Sequence, residues 1–207
     1  MVRIKLKVKQ LFVTRKLRKR LQNKNFTILS SNCLGGCIYH DLGEKFLSPT
    51  INLWFNSEDF LKFVNDLDYY LNKCELIQNK NTSMDYPVGN LGEENKKITV
   101  YFTHYSNFES AKKKWDARKK RITNNIFIIF TDMDGGNNID TINRFNALPY
   151  KHKIMLTGRN YKNMKNTFYI KGCSEDGHLG EWWQENGNTG RYFYQQFDYV
   201  SFLNNKD

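Results

Sequence analysis

No stretch of this 207-residue chain approaches the ~20 consecutive apolar residues that a membrane-spanning helix requires. The longest apolar run, Ile126–Thr131, has the length of a strand. The basic N-terminus is followed by neither an apolar segment nor a small-residue cleavage site, so no secretory leader is expected. A cytoplasmic protein is expected, peripheral at most at the inner face of the membrane. The four cysteines, Cys33, Cys37, Cys74 and Cys173, are too few for a disulfide scaffold, which leaves reduced thiols. Cys74 and Cys173 are expected to pack as small hydrophobes. With only three prolines, no internal repeat and no credible linker, the chain reads as one domain.

Acidic residues are missing altogether from residues 1–24, which hold ten of the 32 lysines and arginines. Beyond them the chain carries 22 basic against 21 acidic residues, so the net charge of +11 belongs to the N-terminal segment and the body is nearly neutral. Specific nucleic-acid binding is therefore not expected. Residues 1–24 are expected to form a basic arm or helix that contributes little to the fold and suits an anionic membrane surface. Residues 25–207 are expected to form a single α/β domain, long enough to bury a full core.

The patterning supports that class. Val13, Leu17 and Leu21 recur at helical spacing. Phe26–Ser31 reads as a buried strand and Gly35–Leu42 as a short helix ended by Gly43. Ile51, Leu53 and Phe55 alternate as a second strand, and Ser57 is placed to cap a helix through Leu71. The polar stretch from Asn79 to Asn95, with Pro87, Gly89 and Gly92, reads as a loop. Ile98–Phe102 is a strand, and Ser106 with Glu109 forms a capping box opening a helix to about Arg121. Strand Asn125–Phe130, helix Ile139–Ala147 and strand Lys153–Leu156 follow. Strands alternating with helices predict a three-layer sandwich around a mixed, mostly parallel sheet.

Several motifs carry a resemblance: Ser31-Asn32-Cys33-Leu34-Gly35-Gly36, Tyr86-Pro87-Val88-Gly89, His104-Tyr105, Trp115-Asp116-Ala117-Arg118 with Arg121-Ile122, Thr131-Asp132-Met133-Asp134-Gly135, Leu148-Pro149-Tyr150 and Phe197-Asp198-Tyr199. From about Asn25 onward the chain resembles an uncharacterised bacterial family associated with exopolysaccharide biosynthesis. The resemblance implies surface-polysaccharide assembly as the setting. It also implies a sugar or polysaccharide precursor, an acyl donor or a nucleotide sugar as ligand.

In a parallel α/β sheet, ligands bind beyond the carboxyl ends of the strands. Three predicted strand ends carry Asn32-Cys33, Thr103-His104 and Asp132-Met133-Asp134. Cys33 precedes a predicted helix, whose free amides lower a thiol pKa, while Gly35 and Gly36 leave room for close approach to a substrate. Cys33, His104 and Asp132 have the composition of a nucleophile, its base and an orienter converging on one cleft. The plain alternative is a packed cysteine and a histidine bonded to a loop carbonyl. Asp132 and Asp134 also resemble the Asp-x-Asp site of many glycosyltransferases, where carboxylates hold a divalent metal; no other cofactor is indicated. Against that stands an Asx-type turn. Cys33, Cys37 and His40 lack a fourth zinc ligand. Arg118 and Arg121 are placed to clamp a phosphate or carboxylate, or to form a solvated basic face. The aromatic group Trp182, Trp183, Tyr192, Phe193 and Tyr194 suits stacking on sugars or a late core.

Overall fold

The computed structural model describes residues 2–205, with the side chains of residues 2–7 and of Asn188 outside what is described. In chain order the elements are α1 (Val2–Arg20), β1 (Thr27–Ser30), α2 (Leu34–Leu42), α3 (Ser57–Asn65), β2 (Ile77–Gln78), β3 (Val88–Leu91) and β4 (Ile98–Tyr101). They continue as α4 (Phe108–Lys119), β5 (Ile126–Thr131), α5 (Ile139–Ala147), β6 (His152–Thr157), β7 (Thr167–Tyr169), β8 (Ser174–Glu175), β9 (His178–Leu179) and α6 (Tyr199–Asn204).

The main sheet has the order β1-β5-β6-β7, all parallel. Ile28 pairs with Phe127 and Ile129 with Ile154, so successive residues alternate between two buried faces. On one face Leu29, Ile128, Phe130 and Met155 meet Phe60, Trp115 and Phe145 from α3, α4 and α5. On the other, Ile28, Phe127, Ile129 and Leu156 meet Leu34 and Ile38 of α2 and Tyr199 and Leu203 of α6. These three layers form the expected α/β sandwich. Antiparallel strands form separate small sheets, β2-β3-β4 and β8-β9.

Two strand expectations are corrected here. Ile98–Phe102 becomes β4, but it lies outside the main sheet and pairs antiparallel with β3. The connection from Leu91 to Ile98 is too short for a parallel crossover. The predicted loop from Asn79 to Asn95 therefore contains a strand, β3. The alternation of Ile51, Leu53 and Phe55 is real, since all three are buried, yet the segment joins no sheet as a regular strand. It stitches the two sheets together instead. The Phe55 N–H donates to the Ser31 carbonyl at 2.9 Å beyond β1, while Trp54 and Tyr101 exchange backbone bonds at 2.9 and 3.0 Å. This stitch brings the end of β4 beside the end of β1.

The capping residues lie one residue upstream of the predicted Ser57 and one residue downstream of the predicted Ser106. The Asn56 side chain accepts the Asp59 N–H at 2.8 Å, and the Asn107 side chain accepts the Ser110 N–H at 2.9 Å. Asparagine competes with serine for this position. The helix expected to reach Leu71 stops at Asn65 and resumes as a wider turn over Tyr69–Lys73.

Within residues 1–24 the described segment forms the helix α1, which packs on the rest of the fold. α1 lies along α2, with Thr14 and Leu21 buried and Leu17 packed on the core. Arg18 Nε donates to the Asp41 carbonyl at 2.8 Å and Nη2 to the His40 carbonyl at 3.2 Å, capping the end of α2.

Candidate functional site

Each wall of the site comes from a different part of the fold. Asn32 leaves β1 with its side chain locked: Oδ1 accepts the Leu34 N–H at 3.1 Å and Nδ2 donates to Thr131 Oγ1 at 3.0 Å. The first bond turns the chain into α2 and the second ties the end of β1 to the end of β5. Cys33 then occupies the N-cap of α2, with Cys37 one turn on. The turn after β4 supplies Thr103 and the exposed His104. After β5, Met133 and Asp134 form a tight turn. The Met133 carbonyl accepts the Ser57 hydroxyl at 3.0 Å, and Asp134 adopts a left-handed conformation at φ 54° that aspartate tolerates.

These residues surround a cleft of two joined lobes. The lobe against α1 and the end of α2 has a volume of about 610 Å³ and is walled by Leu11, Gly36, Phe46, Asn52, Tyr192 and Tyr194. The lobe between the strand ends has about 540 Å³ and is walled by Asn32, Trp54, Thr103, Met133, Asp134 and Trp182. Cys33, Cys37, His104 and Trp183 line both. The volumes fall within the range of ligand sites.

The aromatic wall is held by one buried carboxylate. Asp41 Oδ2 accepts the hydroxyls of Tyr194 and Tyr199, each at 2.7 Å, and the Gln195 side-chain amide at 2.6 Å. Burial first, and the neighbouring Asp41 second, push both phenols far above the ordinary tyrosine range, so they remain donors. This anchor folds the tail over α2 and leaves the Trp183 ring 47% exposed at the mouth. Trp54 stacks on Tyr101 with ring centres 3.9 Å apart.

Cys33 and His104 thus share a cleft although their strands belong to different sheets. The thiol is not activated, however. Burial, with Cys37 second, pushes the Cys33 thiol up to about 12, and its S–H donates to the Leu53 carbonyl at 3.7 Å. Burial thus outweighs the lowering expected from the helix N-terminus. Gly36 lines the cleft, but Gly35 serves packing instead. A Cβ at Gly35 would lie 3.0 Å from Ser30 Cβ, so its absence lets α2 sit against β1.

Asp132 does not orient His104. It is fully buried, with Oδ1 accepting the Leu179 N–H at 2.7 Å and Oδ2 the Gly158 N–H at 2.9 Å. It fastens the β8-β9 hairpin to the end of β6. Burial holds its carboxyl above the usual range despite those two amides. Asp134 is exposed and lines the cleft, and partial desolvation of its carboxyl raises its pKa as well. The two carboxylates do not fit a divalent cation, because both oxygens of Asp132 already have donors and no group of three or more candidate ligands occurs among the described residues. Arg118 is buried rather than on a solvated face, and Arg121 is exposed; both lie outside the cleft in a neighbouring concavity.

Trp54 and Asn52 were not singled out from the sequence. The signal was present in the alternation: Ile51, Leu53 and Phe55 face the core, so Asn52 and Trp54 face the other way, into the cleft.

A sequence profile for a domain of unknown function (DUF1919) matches residues 4–204. An uncharacterised protein of Haemophilus influenzae is 36% identical over 200 residues, covering 96% of this chain and 93% of the relative.

Proposed function

The chain belongs to the DUF1919 family of unknown function, and from that footing we propose that it is a sugar-binding protein of surface-polysaccharide biosynthesis. Its ligand is a polysaccharide precursor, a sugar or nucleotide sugar. The setting is supported by the motif resemblance. The binding role is carried by one observation, the cleft whose aromatic surfaces, Phe46, Trp54, Trp183 and Tyr192, alternate with Asn32, Asn52, His104 and Asp134. Pyranose rings present apolar faces to aromatic rings and hydroxyls to amides and carboxylates, and this lining offers both. The test is tryptophan fluorescence during titration with a panel of sugars and nucleotide sugars. Trp183→Ala should weaken binding by about tenfold, since a central aromatic anchor contributes more than ~1 kcal/mol. Because that ring is 47% exposed, the melting temperature should not change. Binding that is untouched by Trp183→Ala and Trp54→Ala sinks the proposal.

A second reading is favoured by the presence of Cys33 and His104 in both lobes. In it the protein is an enzyme of acyl-type transfer or hydrolysis. With the thiol protonated at rest, His104 takes the proton as sulfur attacks an acyl donor's carbonyl, and returns it to the departing group.

A location at the inner membrane face is supported by α1. It is basic throughout, and it leaves Val8, Leu11 and Phe12 exposed, Phe12 by 58%. An anionic lipid surface attracts the charges and accepts the apolar side chains. No helix among the described residues is long and apolar enough to cross the bilayer.

A further inference from the structure

On the other side of Phe46 from the aromatic cleft lies a second concavity of about 530 Å³. Its walls carry five cations, Lys45, Lys113, Lys114, Arg118 and Arg121, and one acid, Glu44, which Lys24 already engages. Two neighbours on α4 are ion-paired, Lys112 with Glu75 and Lys119 with Asp116. Among the described residues, Lys45, Lys113, Lys114 and Arg121 form no ion pair at all. The clustering of cations on this side of α4 is therefore uncompensated.

Arg118 is the more telling group. It is only 8% exposed, and it has no carboxylate partner among the described residues. A buried charge without an opposite charge is costly, and arginine is rarely found so. Its Nη1 donates to the Ile51 carbonyl at 3.1 Å and to the Tyr105 hydroxyl at 2.8 Å, while its guanidinium lies 5.4 Å from the centre of the Phe46 ring. These contacts hold the plane still but use only one of its three nitrogens. Nε and Nη2 have no protein acceptor among the described residues. A fixed guanidinium with free donors, surrounded by four further cations, is the arrangement that recognises phosphate oxygens.

We propose that this concavity binds a diphosphate, with Arg118 as its anchor and Lys45, Lys113, Lys114 and Arg121 neutralising the remaining charge. Phe46 lines both this concavity and the cleft. A sugar in the cleft can therefore carry its diphosphate around that ring into the cationic site. The assignment of the diphosphate to a sugar carrier rests on the reading above; the anion site itself does not. Nucleoside diphosphate sugars and lipid diphosphate sugars share this chemistry.

Calorimetric titration of the full chain with inorganic pyrophosphate at low ionic strength tests the site. A Kd below about 1 mM is expected, weakened at least about tenfold by Arg121→Glu and by Lys114→Glu. Both side chains are exposed, so these variants should fold. Arg118→Lys keeps the charge but loses the fork, and it should weaken binding by about tenfold as well. Displacement of pyrophosphate by UDP-glucose identifies a nucleotide carrier, and displacement by geranyl diphosphate in neutral vesicles a lipid carrier. Displacement by neither overturns the carrier assignment. No pyrophosphate binding, or equal binding by both charge-reversal variants, overturns the site. Trp183→Ala should leave pyrophosphate binding intact, which separates failure here from failure of the sugar reading.

Discussion

At Cys33 two influences oppose each other. The amides at the start of α2 lower a thiol pKa, and removal from water raises it. The second wins and holds the group at about 12. A thiol at that value has roughly three-thousandfold less thiolate at neutral pH than a free cysteine at ~8.5. Alkylation of Cys33 by iodoacetamide, followed by mass spectrometry, should therefore be very slow at pH 7.5 and should still be rising at pH 10. A rate that levels off near pH 8 would show an activated thiolate and contradict the burial argument. The position of Cys33 in the cleft was legible from its place after a buried strand. Its protonation state was not, because burial depends on Leu53, Cys37 and residues far along the chain. Asp132 teaches the same lesson with the opposite outcome. The tripeptide Asp132-Met133-Asp134 suggests two carboxylates acting together, but the backbone amides of Gly158 and Leu179 claim one of them.

Among the elements, α1 departs most from its sequence reading. Ten basic residues spread over the first 24, without an acid, suggest a solvated appendage. The described lysines and arginines, from Lys9 to Lys24, are exposed, but Leu17 and Leu21 seal one edge of the core and Arg18 caps α2. Leu21→Ala should cost about 2–4 kcal/mol in urea denaturation, the usual range for a buried leucine. Phe12→Glu should leave stability within about 0.5 kcal/mol, as for an exposed site. In the same preparation it should reduce sedimentation with vesicles of anionic lipid. An unchanged sedimentation would remove the apolar part of the membrane contact and leave charge alone. A Leu21→Ala variant as stable as the parent would mean that α1 is the dispensable arm its charge suggests.

Across the whole molecule, the end of α1 and the segment after it are fastened to α6. Arg20 Nη2 meets Asp198 Oδ2 at 2.5 Å, and Asn23 Nδ2 donates to the Leu203 carbonyl at 2.7 Å. Burial raises the Asp198 carboxyl, but Arg20 and the bonds from Ser201 outweigh it and hold the group below its usual range. A carboxylate depressed in the folded state stabilises fully above its unfolded pKa of about 3.9 and loses that contribution as pH falls through the folded value. Asp198→Asn keeps the cap on α6 but removes the charge. It should lower stability by a few tenths to ~1 kcal/mol at pH 6, the range for half-exposed pairs, and the difference should vanish near pH 2. Melting curves of both proteins at the two pH values check this, and a difference that persists at low pH would assign the loss to the cap. Strands β1, β5 and β6 of the parallel sheet were readable because they are apolar runs between helical periods, and such runs bury both faces wherever they lie. Strand β7, a three-residue edge strand of half-buried and exposed residues, carries no such signal. The cap positions were readable to within one residue for a similar reason, since capping involves only near neighbours. The cleft was readable only as a set of strand ends. Its closure depends on Trp54 bridging to Tyr101 and on Asp41 gathering Tyr194, Gln195 and Tyr199 from more than a hundred and fifty residues away. Local pattern settles what repeats every two or four residues. Contacts across such distances, and the burial that keeps Cys33 protonated and raises the Asp132 carboxyl, exist only once the chain has folded.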